Sequence, residues 1–184
     1  MNDYNPKSFW NEAARDPDVR YKYISDKWAS TEKFLELING HNDDWEKVLE
    51  IGCGIGRLIV PLSEQHPTCK FYGIDISEEM LKLAPKRDNV FYGEDCGDLD
   101  YVYSMLVFQH IPHEEKVRYI KKSYSLLKDG GKIFFQFVVG EENSPYSYQT
   151  SLEIVSLELE SAGFSVDFSE YIMHDQWIFI EGTK

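Results

Sequence analysis

The chain has 184 residues, 42% of them hydrophobic and 28% charged, with a formal net charge of −13. That length and apolar content suit one compact domain with a buried core, spanning 1–184. No apolar run approaches the roughly eighteen residues a membrane-spanning helix needs, so no membrane is expected as a partner. So negative a field repels polyanions and removes the counterion-release drive of nucleic-acid binding, which disfavours DNA and RNA as partners.

Three cysteines, Cys53, Cys69 and Cys96, show neither the even count of a disulfide scaffold nor the close pairing of a metal site. No metal is expected, and a reducing, cytoplasmic setting fits. Residues 1–10 carry neither a basic patch nor an apolar core, so no secretory leader is expected there.

In chain order, residues 1–44 read as a helical N-terminal extension and 45–184 as the α/β core. Phe9, Trp10, Ala13 and Ala14 line one helical face, Asp16-Pro17 breaks the pattern, and a second helix runs over 30–39 with Gly40 as its C-cap. Strands are predicted at 47–51, 70–74, 89–92, 100–106, 132–138, 164–170 and 176–181, and helices at 56–65, 77–84, 113–128 and 150–162. Such alternation predicts a doubly wound, mostly parallel sheet with helices on both faces. The last two strands leave no room for a helix between them and read as an antiparallel pair.

The most informative stretch is Glu50-Ile51-Gly52-Cys53-Gly54-Ile55-Gly56-Arg57. An apolar run closes on an acid, then on glycines spaced Gly-x-Gly-x-Gly, then on a helical pattern. Glycine there permits positive φ and lets the backbone approach a ligand closely, while a carboxylate accepts hydrogen bonds from hydroxyls. A second apolar run closes on Asp75, about twenty residues further on, where a βαβ unit puts a carboxylate against a ribose. Ser77 then reads as a helix N-cap, with Met80, Leu81 and Ala84 on the buried stripe.

On these residues the chain resembles the class I S-adenosylmethionine-dependent methyltransferases. Glu50, Gly52, Gly54 and Gly56 match the family's first motif and Asp75 its second-strand acid. Asp95 matches the acid after strand three, the segment from Asp100 to Pro112 the fourth strand, and Leu127-Lys128-Asp129-Gly130-Gly131 the approach to the fifth. The resemblance covers about residues 46 to 138. It implies a Rossmann-like fold with strand order 3-2-1-4-5-7-6, the last strand antiparallel, and S-adenosyl-L-methionine as cofactor.

It also implies roles. Gly52, Cys53 and Gly54 should lie against the methionine portion of the cofactor, with the helix beginning near Gly56 and Arg57 offering N–H groups to its carboxylate. Asp75 should take the ribose hydroxyls, Ile76 should pack on adenine, and Asp95 and the Cys96 N–H should meet the adenine edge. Ser104, Met105 and Leu106 end the fourth strand at the carboxyl edge, where open α/β sheets bind ligands. His110 follows; it is the candidate general base, or else a residue on the cofactor side. Trp10, Tyr21 and Tyr146 are candidate walls of a substrate pocket, although Trp10 reads equally as an anchor docking the N-terminal helices. Cys53 reads as a small packing residue, His113 as exposed, and Lys82, Lys86 and Arg87 as a solvated helix end.

The reaction implied is direct displacement at a sulfonium methyl, to an O, N or C of an acceptor. With no second domain to grip a macromolecule, a small organic acceptor is favoured, with a protein or peptide acceptor next. A non-catalytic S-adenosylmethionine-binding protein is a further alternative. A nicotinamide-dependent oxidoreductase would carry Gly-x-Gly-x-x-Gly, whereas here the third glycine comes one residue early. The oligomeric state is not written in the sequence. One departure from the family stands out: the link between strands three and four is too short for the usual crossover helix.

Overall fold

The computed structural model describes residues 4–24, 30–41, 44–93, 97–140, 147–171 and 176–184. Its helices are α1 (Pro6–Arg15), α2 (Pro17–Ile24), α3 (Thr31–Asn39), α4 (Ile59–Gln65), α5 (Glu78–Leu83), α6 (His113–Leu126) and α7 (Leu152–Ala162). Its strands are β1 (Lys47–Ile51), β2 (Lys70–Ile74), β3 (Val90–Tyr92), β4 (Leu99–Ser104), β5 (Leu127–Val138), β6 (Ser165–Tyr171) and β7 (Trp177–Thr183). The strands form one sheet in the order β3-β2-β1-β4-β5-β7-β6. β1–β2, β2–β3 and β4–β5 pair parallel, and β7 runs antiparallel to both β5 and β6. This is the order and the reversed last strand that the motifs implied.

The chain divides into two compact units, Asn5–Asp95 and Met1–Tyr4 with Cys96–Lys184. In the first, short-range chemistry sets the helix ends. The Asn5 side chain accepts from the Ser8 N–H at the start of α1, and Asp16 Oδ1 accepts from the Asp18 and Val19 N–H groups at 2.9 and 3.2 Å, so the Asp-Pro break starts a new helix. α1 buries Ala13 and Ala14 against Met80 of α5, with Trp10, Val19 and Ile55 packed around them. Polar contacts complete the seam: the Ser77 hydroxyl donates to Asn11 Oδ1 at 2.7 Å and accepts from the Met80 N–H at 3.2 Å. Val48, Leu49 and Phe71 on the parallel strands and Ile59 and Leu62 on α4 are all buried.

In the second unit, β5 lies between β4 and β7, and its interior is aromatic. Phe134 stacks on Phe179 at 5.7 Å between ring centroids, and Phe108 sits 4.8 Å from Phe137 and 5.0 Å from Phe135. These rings lie in the core, where each buries a large apolar area.

Several boundaries differ from expectation, β5 most of all, which begins at Leu127 rather than 132. α4 begins at Ile59 rather than near 56, because Gly56 sits at φ +84° and cannot continue a right-handed helix backwards. β4 ends at Ser104 rather than 106, because Leu106 turns to φ +61°. Gly40 caps α3 but at φ −60°, a conformation open to any residue. The link from β3 to β4 holds six residues, 93–98, and no helix appears among those described.

Removing the Ser77 hydroxyl deletes both the α5 cap and its bond to Asn11. Ser77→Ala is expected to lower unfolding stability by about 1–2 kcal/mol, a fall in thermal midpoint of roughly 2–8 °C at this chain length, checked by calorimetry.

Candidate cofactor site

Within the first unit, the loop 52–56 is shaped by three left-handed glycines, Gly52 at φ +74°, Gly54 at +52° and Gly56 at +84°. The Gly52 and Cys53 N–H groups donate to the Ile74 carbonyl at 2.7 and 3.1 Å, fastening the loop to the end of β2. Two of the glycines serve different ends. A Cβ on Gly56 would lie 2.9 Å from both Tyr92 Oη and Val60 Cγ2, so glycine is needed there for packing. A Cβ on Gly54 would meet nothing within 4 Å, which leaves open space beside its backbone.

Asp75 closes the arrangement. Its Oδ2 accepts from the Gly54 N–H and its Oδ1 from the Ser77 N–H, both at 2.8 Å. A carboxylate offers about four acceptor positions, so these two bonds leave half of them open. Burial pushes the Asp75 carboxyl above its ordinary range, and the two N–H bonds oppose that rise. Ile76 follows with 39% of its surface exposed, an apolar side chain facing outward just after the acid.

Glu50 is only 3% exposed, at the β1 position paired with Gly73. Burial first, then the Glu50 and Asp75 charges, hold the Cys53 thiol well above its usual pKa. A thiol so held is not a nucleophile. Its Sγ instead fills the space beside Gly73, where an added Cβ would come within 2.8 Å of it. Arg57 turns to α3, with Nε donating to Thr31 Oγ1 at 2.8 Å. Trp10 packs in the α1–α5 seam, the anchoring arrangement foreseen for it, whereas Tyr21 on α2 is 72% exposed.

In the second unit, Ser104 and Met105 are buried at the end of β4. Leu106 takes a left-handed φ, a conformation that costs a non-glycine residue about 1–2 kcal/mol. Its N–H donates to Gln136 Oε1 at 2.8 Å, and Gln136 Nε2 donates in turn to the Phe137 carbonyl at 3.0 Å. His110 is half-buried in the 3-10 turn Phe108–His110, which the buried Phe108 ring pins to β5. His113 is exposed at the start of α6, its Nε2 3.3 Å from Glu158 Oε1. Asp95, Cys96 and Tyr146 lie outside the described residues. Among the described residues no group of three or more His, Cys, Asp or Glu could hold a metal ion.

Two polar groups in this unit escaped the sequence reading. Gln136 is wholly buried, and its only signal was one polar residue inside the apolar run 133–139. Lys116 is buried on α6 with Nζ donating to the Tyr148 carbonyl at 2.6 Å, and burial pushes its pKa down to about 8. It stands in the charged run His113-Glu114-Glu115-Lys116, which gives no sequence signal of burial.

The geometry has its counterpart in known proteins. A methyltransferase-domain family matches residues 49–133, from inside β1 into β5. An uncharacterized methyltransferase of Bacillus cytotoxicus is 29% identical over 91% of this chain and 89% of its own length. These matches support a class I S-adenosylmethionine-dependent methyltransferase. That family's cofactor is S-adenosylmethionine. The fold of this methyltransferase is also that of magnesium protoporphyrin IX methyltransferase from Synechocystis PCC 6803 with bound SAH, at TM-score 0.76 and 20% identity, covering 97% of both chains. It is likewise that of Haemonchus contortus phosphoethanolamine N-methyltransferase 2, at TM-score 0.79 and 17% identity, covering all of this chain and 60% of the other.

The two glycines should separate in stability. Gly56→Ala combines left-handed strain with two contacts under 3 Å and is expected to cost about 2–4 kcal/mol. Gly54→Ala carries the strain alone, about 1 kcal/mol, and chemical denaturation of both variants checks the contrast. Lys116 gives a pH signature. Between about 8 and 10.5 the folded amine has lost a proton that the unfolded chain keeps, so its contribution to stability rises with pH in that window. Lys116→Met should remove that rise from the stability–pH curve.

Proposed function

We propose that this methyltransferase holds S-adenosylmethionine with the loop 52–56 and Asp75, and transfers its methyl group to an O, N or C of a small organic acceptor. The observation that carries the reading is the Asp75 carboxylate, bonded to the Gly54 N–H with half its acceptor positions open, beside a glycine that nothing packs against. A ribose diol needs that donor-free carboxylate edge, and a methionine portion needs that bare backbone. The residues present therefore fit the cofactor. When bound, it supplies a methyl group on a sulfonium, already activated for displacement, with S-adenosylhomocysteine as the leaving group.

The chain's own work is then orientation and exclusion of water. Asp75 accepts from the ribose and Ile76 packs on the adenine; Asp95 and Cys96 keep their adenine-edge assignment, and residues 104–106 keep their cofactor-side assignment from the family's motif order. Glu50 and Arg57 keep their cofactor-binding assignment from the family's first motif, Arg57 being bonded also to Thr31. His110 is the acceptor-side candidate for taking a proton. We assign both units to one methyltransferase domain, in the cytoplasm.

Two features support a small acceptor. The net charge of −13 opposes polyanionic partners, and the two solved proteins of like fold named above carry small molecules in their names. No helix among the described residues is long and apolar enough to cross a membrane.

Titration calorimetry with S-adenosylhomocysteine tests the cofactor assignment, with NAD as the comparison ligand. Binding of the first and not the second is expected, and Asp75→Asn should weaken it about 10–100-fold by removing charge-assisted bonds. Because burial raises the Asp75 carboxyl, affinity should fall on acidification at a higher pH than an ordinary aspartate would give. Asp75→Asn should lack that step. Acceptor identity is then sought by transfer of labelled methyl across small-molecule panels.

A further inference from the structure

We infer that Gln136 is a positioning residue for methyl transfer, fixing in a left-handed turn the end of β4, whose residues 104–106 the motif order assigns to the cofactor side. The inference rests on the cofactor reading above and adds to it a residue that no family motif names here. Gln136 stands in β5 as the single polar residue of Ile133-Phe134-Phe135-Gln136-Phe137-Val138 and is 0% exposed. Burying a primary amide is unfavourable unless both of its ends are bonded, and an apolar side chain of equal volume would fill the place at no such cost. Both ends are bonded here, Oε1 to the Leu106 N–H at 2.8 Å and Nε2 to the Phe137 carbonyl at 3.0 Å.

The register shows why the amide reaches its target. Ser104 is the last β4 residue in the ladder, opposite Phe135, so Gln136 lies one residue past the end of the β4 pairing. The Leu106 N–H has therefore left the strand ladder, and a side chain replaces the backbone partner it lost. Leu106 meanwhile holds φ +61°, which a leucine keeps only where its surroundings impose it. The Gln136 bond is one such restraint, applied at the peptide group whose rotation would relax the turn.

A residue that merely filled the core would act on stability alone, and a double-mutant cycle separates that role from positioning. Gln136→Met keeps the volume and removes both bonds; Leu106→Gly makes the positive φ intrinsic to the residue. We expect Gln136→Met to weaken S-adenosylhomocysteine binding at least tenfold in calorimetry, while the ligand-free protein still unfolds cooperatively. In the Leu106→Gly background the same substitution should cost less than threefold, because glycine keeps the turn without the clamp. Equal losses in the two backgrounds, or a loss under threefold in the Leu106 protein, overturn the inference. Should Gln136→Met fail to fold, hydrogen exchange of the Leu106 amide in the wild-type protein decides. At saturating ligand it should slow at least tenfold, since a ligand that binds only the clamped state suppresses its opening, and an unchanged rate overturns the role. Wild-type protein that does not bind S-adenosylhomocysteine would instead overturn the cofactor reading itself.

Discussion

The Asp75 carboxylate sits where the end of one parallel strand meets the loop that leaves its neighbour, and it is bonded into both. Through Oδ2 it fixes the Gly54 N–H and through Oδ1 the Ser77 N–H that opens α5. The same strand end holds the loop from its other side, where the Ile74 carbonyl takes the Gly52 and Cys53 N–H groups. A carboxylate half withdrawn from water is costly, and these two N–H bonds offset part of that cost. Loop shape, the start of α5 and an acceptor edge for hydroxyls therefore depend on one ionised group. Protonating it would loosen all three together.

Methyl transfer from a sulfonium asks little acid–base chemistry of the protein, and this chain is built accordingly. The thiol in the glycine loop is kept protonated by burial and two neighbouring carboxylates, and serves as packing beside Gly73. The histidine nearest the end of β4 stands in a turn whose position is set by stacked phenylalanines. What the fold contributes is placement, carried by backbone N–H groups and by aromatic rings that cannot shift without opening a cavity.

Much of this was legible because it is local. Glycine spacing, an acid closing an apolar run, the Asp16-Pro17 break and Ser77 ahead of its helix each act over two to four residues. Strand order followed from the motif resemblance, which no local rule supplies. The misses share a different cause. α4 starts late because Gly56 takes a left-handed φ, and Tyr92, which a side chain there would crowd, lies thirty-six positions away in sequence. The Leu106 turn and the Gln136 bond that holds it are thirty positions apart. Lys116, buried within a charged run, donates to the Tyr148 carbonyl thirty-two positions on. Trp10 carried two readings, and the Met80 contact that weighs for anchoring lies in another helix. Asp95, Cys96 and Tyr146 fall outside the described residues and add nothing to the comparison.

Asn11, Ser77, Asp75 and Gly54 form an unbroken series of hydrogen bonds, from the first helix to the glycine loop, none longer than 2.8 Å. On the role proposed for Asp75, linkage makes such a series symmetric: whatever free energy a nucleoside gains from a well-oriented Asp75 is returned to the docking of α1. The N-terminal helix is then more than a cover placed on a finished module. Its hold on the body of the protein becomes a gauge of site occupancy, so a protease nicking that segment would cut slowly when the cofactor is plentiful and quickly when it is scarce.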